Sequence, residues 1–185
     1  MPTPARTSIQ AIVAAGRAIL DADGLDGLTM SRVAAAVGVR PPSLYKRVRD
    51  RSDLVRLIAN DVASELTLTL DSAATSADPR ANLRAIAGAF RAWALTHPEA
   101  FHLLFDRVPE HERIDPDLNA RSAAALLRTT AELAGEADAL EAARTVVAWA
   151  NGFLGMELAG AFRLGGNVDR AFEYGVERLT RAIER

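Results

Sequence analysis

Residues Thr29–Arg51 read TMSRVAAAVGVRPPSLYKRVRDR, and the fold follows from how this stretch is spaced. Thr29 stands where a helix N-cap belongs, ahead of Val33, Ala34 and Val37 at helical intervals. Gly38 breaks that short helix. Pro41 and Pro42 open the next, where their missing N–H groups cost nothing because first-turn amides lack intrahelical partners. The second helix carries Leu44, Tyr45 and Val48. Its apolar side, with Val39, can pack on Val33, Ala34 and Val37, while Ala34 and Ala35 permit close approach. The spacing therefore predicts a helix-turn-helix, with Arg40, Ser43, Lys46 and Arg47 pointing away from its core. A helix of this width fits the major groove of duplex DNA, where such side chains reach base edges or phosphates. Tyr45 can offer its hydroxyl to phosphate or its ring to a thymine methyl. Arg51, opening a further helix, would add its charge to N–H groups that already favour an anion.

Outward from this centre, helical period is everywhere and strand signals are missing. Upstream, Ile9, Ile12, Val13, Gly16, Ile19 and Leu20 share one face, and Gly24 ends that helix. Downstream, Asp50 caps a helix with Asp53 in its first turn and a stripe of Leu54, Ile58, Val62, Leu66 and Leu70. Ser72–Arg80 is small, polar and reads as a connection. Period resumes at Leu83, Ile86, Phe90 and Trp93, and Pro98 interrupts it. Arg107–Pro116 reads as a charged loop. Further helices are expected over Leu118–Leu133, over Ala139–Phe162 with Leu164–Asn167 as the stop, and along Val168, Phe172, Val176, Leu179 and Ile183. The expectation is an all-α chain of about nine helices. Residues 6–70 would form a DNA-binding domain that includes the fourth helix, and 78–185 an effector-binding and dimerisation domain.

The 185 residues are 49% hydrophobic, enough for a core, and carry a net charge of −2. The charge is uneven: residues 1–60 hold nine Arg and Lys against five Asp and Glu, and the remainder is acidic. A basic end on an acidic body suits a polyanionic partner. Cys is absent, which excludes disulfides and thiol chemistry. No apolar run is long enough to span a bilayer and no secretory leader is legible, so the expected compartment is the cytoplasm, away from membranes. No phosphate loop, nucleophile elbow or carboxylate–histidine cluster is present, and His97, His102 and His111 form no metal set. Neither enzyme activity, cofactor nor metal is expected. The alternative is a helical scaffold without sequence-specific DNA binding, which accounts for the helices but not for the basic second helix after a tight turn.

Residues 7–54, through "LTMSRVAAAVGV", "PPSLYKRV", Arg51 and Leu54, resemble the DNA-binding domain of the TetR family of transcriptional regulators. The resemblance implies phosphate or base contacts at Thr29 or Ser31, Pro42, Ser43, Tyr45, Lys46, Arg47 and Arg51. The chain departs from the family pattern at Arg47-Val48, where a His-Phe or His-Val pair is frequent, and at Arg51, where Lys is usual. "WALTHPEAFHLLF" and "WANGFLGMELAG" are similar to one C-terminal type of the family. A lone module neutralises few phosphates, whereas a twofold dimer places two recognition helices about 34–36 Å apart. The expected interface is Val146, Val147, Ala150, Leu154, Phe172, Val176, Leu179 and Ile183. Trp93, His97, Phe101, Phe105, Trp149, Phe153 and Met156 are candidates to line a cavity or to fill the core. In the family such a cavity takes a small-molecule effector, here expected to be apolar, and the usual role is a repressor on a palindromic operator. Release then requires that the effector bind the DNA-incompetent state more tightly.

Overall fold

The computed structural model describes residues 8–106 and 109–185. Residues 6 and 7 of the expected N-terminal domain, and 107–108 of the expected charged loop, lie outside the described residues. The helices in chain order are α1 (Ile9–Gly27), α2 (Met30–Ala36), α3 (Pro41–Leu44), α4 (Arg51–Ala73), α5 (Pro79–Thr96), α6 (Pro98–Phe105), α7 (Pro116–Ser122), α8 (Ala124–Ala134), α9 (Ala139–Leu158) and α10 (Val168–Ile183). Among the described residues a single 3-10 turn covers Glu110–Glu112. Among the described residues there is no strand, and no helix is long and apolar enough to cross a membrane.

The chain divides into two compact units, and the division falls inside α4. The first takes residues up to Ser64 together with His97–Asn119, a segment that the sequence reading assigned to the C-terminal domain. Its core is built from Ile12 and Leu20 of α1, Val33 of α2, Leu44 of α3, and Leu54, Val55, Ile58 and Val62 of α4, all buried. Gly16 is what lets α1 approach α4: a Cβ there would sit 2.5 Å from Ile58 Cδ1. Gly24 takes φ 67°, a region closed to most L side chains, and interrupts α1 where the sequence placed its end.

The second unit takes Glu65–Thr96 and Ala120–Arg185. Leu83, Leu126, Leu133, Ala143 and Val146 form one buried cluster, and Ala87, Phe172 and Val176 form another against Trp149 and Phe153. The Trp149 ring lies where a side chain on residue 175 would be: a Cβ on Gly175 would fall 2.2 Å from Trp149 Cζ2. Trp93 is buried, with its indole N–H donated to Glu65 Oε1 at 3.0 Å. Arg91 donates to Glu157 Oε2 at 2.9 Å and to Asp169 Oδ1 at 2.7 Å, tying α5 to α9 and α10 while its guanidinium covers the Phe172 ring.

Two helix boundaries differ from expectation. The helix expected over Leu118–Leu133 is two, parted at Ala123. The long helix closes at Leu158 rather than Phe162, because Gly160 takes φ 61°, Gly160 N–H bonds Glu157 O and Ala161 N–H bonds Met156 O. That paired return satisfies the last carbonyls one turn before the Gly165-Gly166 pair is reached.

Candidate nucleic-acid interface

Thr29 caps α2, its Oγ1 accepting from Arg32 N at 3.3 Å. The helix ends on Gly38 at φ 73°, with Gly38 N–H bonded to Ala35 O at 3.0 Å and Val39 N–H to Ala34 O at 2.9 Å. Only glycine takes this conformation without strain, and the paired bonds fix the angle at which the chain enters α3. After Pro41 and Pro42 the helical turn continues past Leu44, with Arg47 N–H and Val48 N–H both reaching Leu44 O, at 2.8 and 3.0 Å. Leu44 and Val48 are buried; Arg40, Pro42, Lys46 and Arg47 are exposed, Tyr45 is 53% exposed, and Ser43 is half-buried. Burial of every fourth residue thus turns the intervening cationic side chains outward. Ser31 is exposed in the first turn of α2.

The sequence reading passed over one member of this face. Arg49 contributed to the charge count, yet was not named as a contact; its side chain is 79% exposed. Its backbone amide is held by Asp53 Oδ2 at 3.0 Å, while Asp53 N–H bonds Asp50 Oδ1 at 2.8 Å. Together the two bonds cap the start of α4. The Arg49 amide, followed by the Arg56 side chain, holds the Asp53 carboxyl below the usual carboxylate range.

Arg51 requires correction. It was expected to face an anion, but its guanidinium turns inward, donating through Nε to Leu28 O at 2.9 Å and through Nη2 to Leu25 O at 2.6 Å. These carbonyls stand at the end of α1, where Leu25 O also accepts the Leu28 N–H at 3.2 Å, and the guanidinium gives each a charged donor. Arg51 therefore pins the start of α4 to the turn before α2. Arg51→Ala is expected to destabilise the first unit by about 1.5–3 kcal/mol, the worth of hydrogen bonds from a charged donor. Urea unfolding followed by circular dichroism measures this; an unchanged midpoint would show that Arg51 is not a structural tie.

The seven candidate cavity residues are not brought together in either unit. His97, Phe101 and Phe105 belong to the first, where Phe101 is buried against Phe105 with ring centroids 5.2 Å apart. Trp93, Trp149, Phe153 and Met156 belong to the second. Trp93 stacks on Phe90, Trp149 and Phe153 pack on Phe172, and Met156 is 48% exposed. A cleft of about 680 Å³ between α5 and α10, bordered by Arg84, Gly88, Leu95 and Phe172, includes none of the seven.

The expected dimer stripe also needs correction. Val146, Ala150, Leu154, Phe172 and Val176 are buried within the protomer, and Ile183 packs partly buried on the same core. Side chains already covered by their own chain have no surface left for a partner. Leu179 is half-buried, and of the eight only Val147 is exposed, at 40%.

Residues 12–58 match the family described as bacterial regulatory proteins, tetR family, and residues 83–179 match the tetracyclin repressor-like C-terminal domain. An uncharacterized HTH-type transcriptional regulator of Mycobacterium tuberculosis, Rv0681, is 29% identical over 98% of this chain and 84% of its own length. A protein of unknown function from Rhodococcus sp. RHA1 superposes with a TM-score of 0.81 over the full length of both chains at 25% identity. A TetR variant from Acinetobacter baumannii AYE, solved in complex with minocycline, shares the fold at a TM-score of 0.69 and 22% identity over 94% of each chain.

Proposed function

The chain belongs to the TetR family of transcriptional regulators, and on that premise we propose that it binds a palindromic operator as a homodimer and represses transcription until a small-molecule effector releases it. The observation that carries this reading is the outward cationic face of α3 above a buried Leu44 and Val48. Arg40, Lys46, Arg47 and Arg49 neutralise phosphates, and Ser43 and Tyr45 reach base edges. The partner protomer meets the outer faces of α9 and α10, which offer Val147, Met156 and Tyr174, all at least 40% exposed. Gly152 and Gly155 lie between them in sequence, with open space where a Cβ would be, so a second helix can come close. The protein acts where the DNA is, in the cytoplasm, and performs no catalysis: effector and DNA compete through the conformational states they each prefer.

The test is the salt dependence of binding to a short duplex. Four exposed cations per protomer give eight per dimer, and the logarithm of affinity should fall with the logarithm of salt at a slope of roughly −7. A flat response would leave a helical scaffold as the reading.

A further inference from the structure

The first unit contains a cleft of about 620 Å³ that the aromatic candidates do not line. Its apolar wall is Leu103 and Leu104 of α6, Ala59 of α4, and Ile114. Its polar wall is the segment from the 3-10 turn to α7, with Glu112 at its centre. Glu112 is only 8% exposed, and among the described residues its carboxylate accepts one hydrogen bond, at Oε1 from Ser52 Oγ at 2.7 Å. Among the described residues no cation lies within ion-pair distance of its carboxylate. That is unusual, because a buried carboxylate is ordinarily paired with a positive charge.

The other charges on the wall do not fill this role. Arg56 is engaged by Asp53 at 3.0 Å and by Asp115 at 2.9 Å. Arg113 lines the cleft too, but Asp106, Glu110, Glu112 and Asp115 outnumber the two guanidinium groups, and His111 is the remaining titratable group. A cleft that is half apolar and net acidic, with an incompletely partnered carboxylate in its wall, selects for positive charge carried on an apolar body.

We propose that this cleft is the effector site, that it takes an apolar organic cation, and that Glu112 is the group that recognises the charge. The proposal rests on the effector-release reading above for its consequence, though not for the binding itself. The clamp on α4 supplies the consequence. Ser52, Arg56 and Asn60 recur at intervals of four on α4, and all three are held from the 110–116 segment: Ser52 by Glu112, Arg56 by Asp115, and Asn60 by Asp115 through two bonds of 2.9 and 3.0 Å. Ser52 directly follows Arg51, which grips the turn before α2. A cation that draws the Glu112 carboxylate towards itself lengthens the bond from Ser52 and loosens the first turn of α4, and with it the base on which the helix-turn-helix stands.

Tetraphenylphosphonium and tetraphenylborate have nearly the same shape and apolar surface with opposite charge, so the pair isolates the role of the carboxylate. Calorimetric titration of the full-length protein should show the phosphonium binding and the borate at least about tenfold weaker. Glu112→Gln keeps the acceptor for Ser52 and should weaken the phosphonium ~10-fold to ~100-fold, the range for losing a nearby opposite charge in a partly desolvated site. Glu136→Gln, an exposed carboxylate outside the cleft, should leave it unchanged. Equal affinity for both ions, no detectable phosphonium binding, or an unaffected Glu112→Gln variant would each overturn the assignment. DNA binding is read separately. Phosphonium binding that depends on Glu112 but does not displace a bound duplex would retain the site and refute effector release.

Discussion

Replacing Lys46 and Arg47 together with Ala is expected to lower affinity for duplex DNA about a thousandfold at ~0.15 M salt. The figure follows from counterion release. A dimer loses four phosphate contacts, each contributing close to 0.9 in the slope of log affinity against log salt, so roughly 3.6 is removed from the slope. Between ~1 M salt, where the term vanishes, and ~0.15 M, that difference accumulates to about three decades. Both side chains are exposed and bond to nothing in the core, so unfolding should shift by no more than ~0.5 kcal/mol. Filter binding across a salt series, with a circular-dichroism melt as control, measures both quantities. Unchanged affinity and slope in a folded variant would mean that α3 is not the DNA-contacting element.

The second large effect is expected at Leu44. It is the one buried residue of the four-residue α3, and a helix that short has no stability of its own in water. Its position is set by this side chain, Val48 and the Gly38 turn. Leu44→Ala should destabilise the first unit by about 2–5 kcal/mol, from lost transfer energy and an unfilled cavity. DNA binding should fall with it even though every cation remains. Leu44→Met conserves volume and should stay within ~1.5 kcal/mol of the parent. Chemical denaturation of the two variants beside their DNA affinities makes the comparison. A Leu44→Ala protein that bound DNA normally would show that the cations are placed by something other than packing beneath them.

Most of the DNA-binding unit could be read from the chain because its signals are local. Gly24, Gly38, the Pro41-Pro42 pair and the Asp50–Asp53 cap each act within five residues of themselves, and each falls where the residue type requires. What escaped was long-range. Arg51 looks like one more member of a basic run; its acceptors lie 23 and 26 residues upstream, at carbonyls left over by the end of another helix. The faces of α9 and α10 escaped for a different reason. Periodicity reveals that a helix has an apolar stripe, and is silent on whether the stripe meets its own chain or another. In α9, Ala and Gly are spread around the whole circumference, so inner and outer faces differ little in polarity. Glu112 could not be singled out either, since an acidic residue in a charged segment carries no mark of burial.

Trp93 and Trp149 are the two tryptophans of the chain, and both belong to the second unit, one hydrogen-bonded to Glu65 and the other lying over Gly175. Intrinsic fluorescence is consequently a one-sided reporter. It follows the body that carries α9 and α10 and contains no indole signal from the helix-turn-helix. A melting curve recorded by emission alone would look unperturbed while the DNA-binding unit came apart, and introducing an indole at Phe105 would give that unit an optical signal of its own.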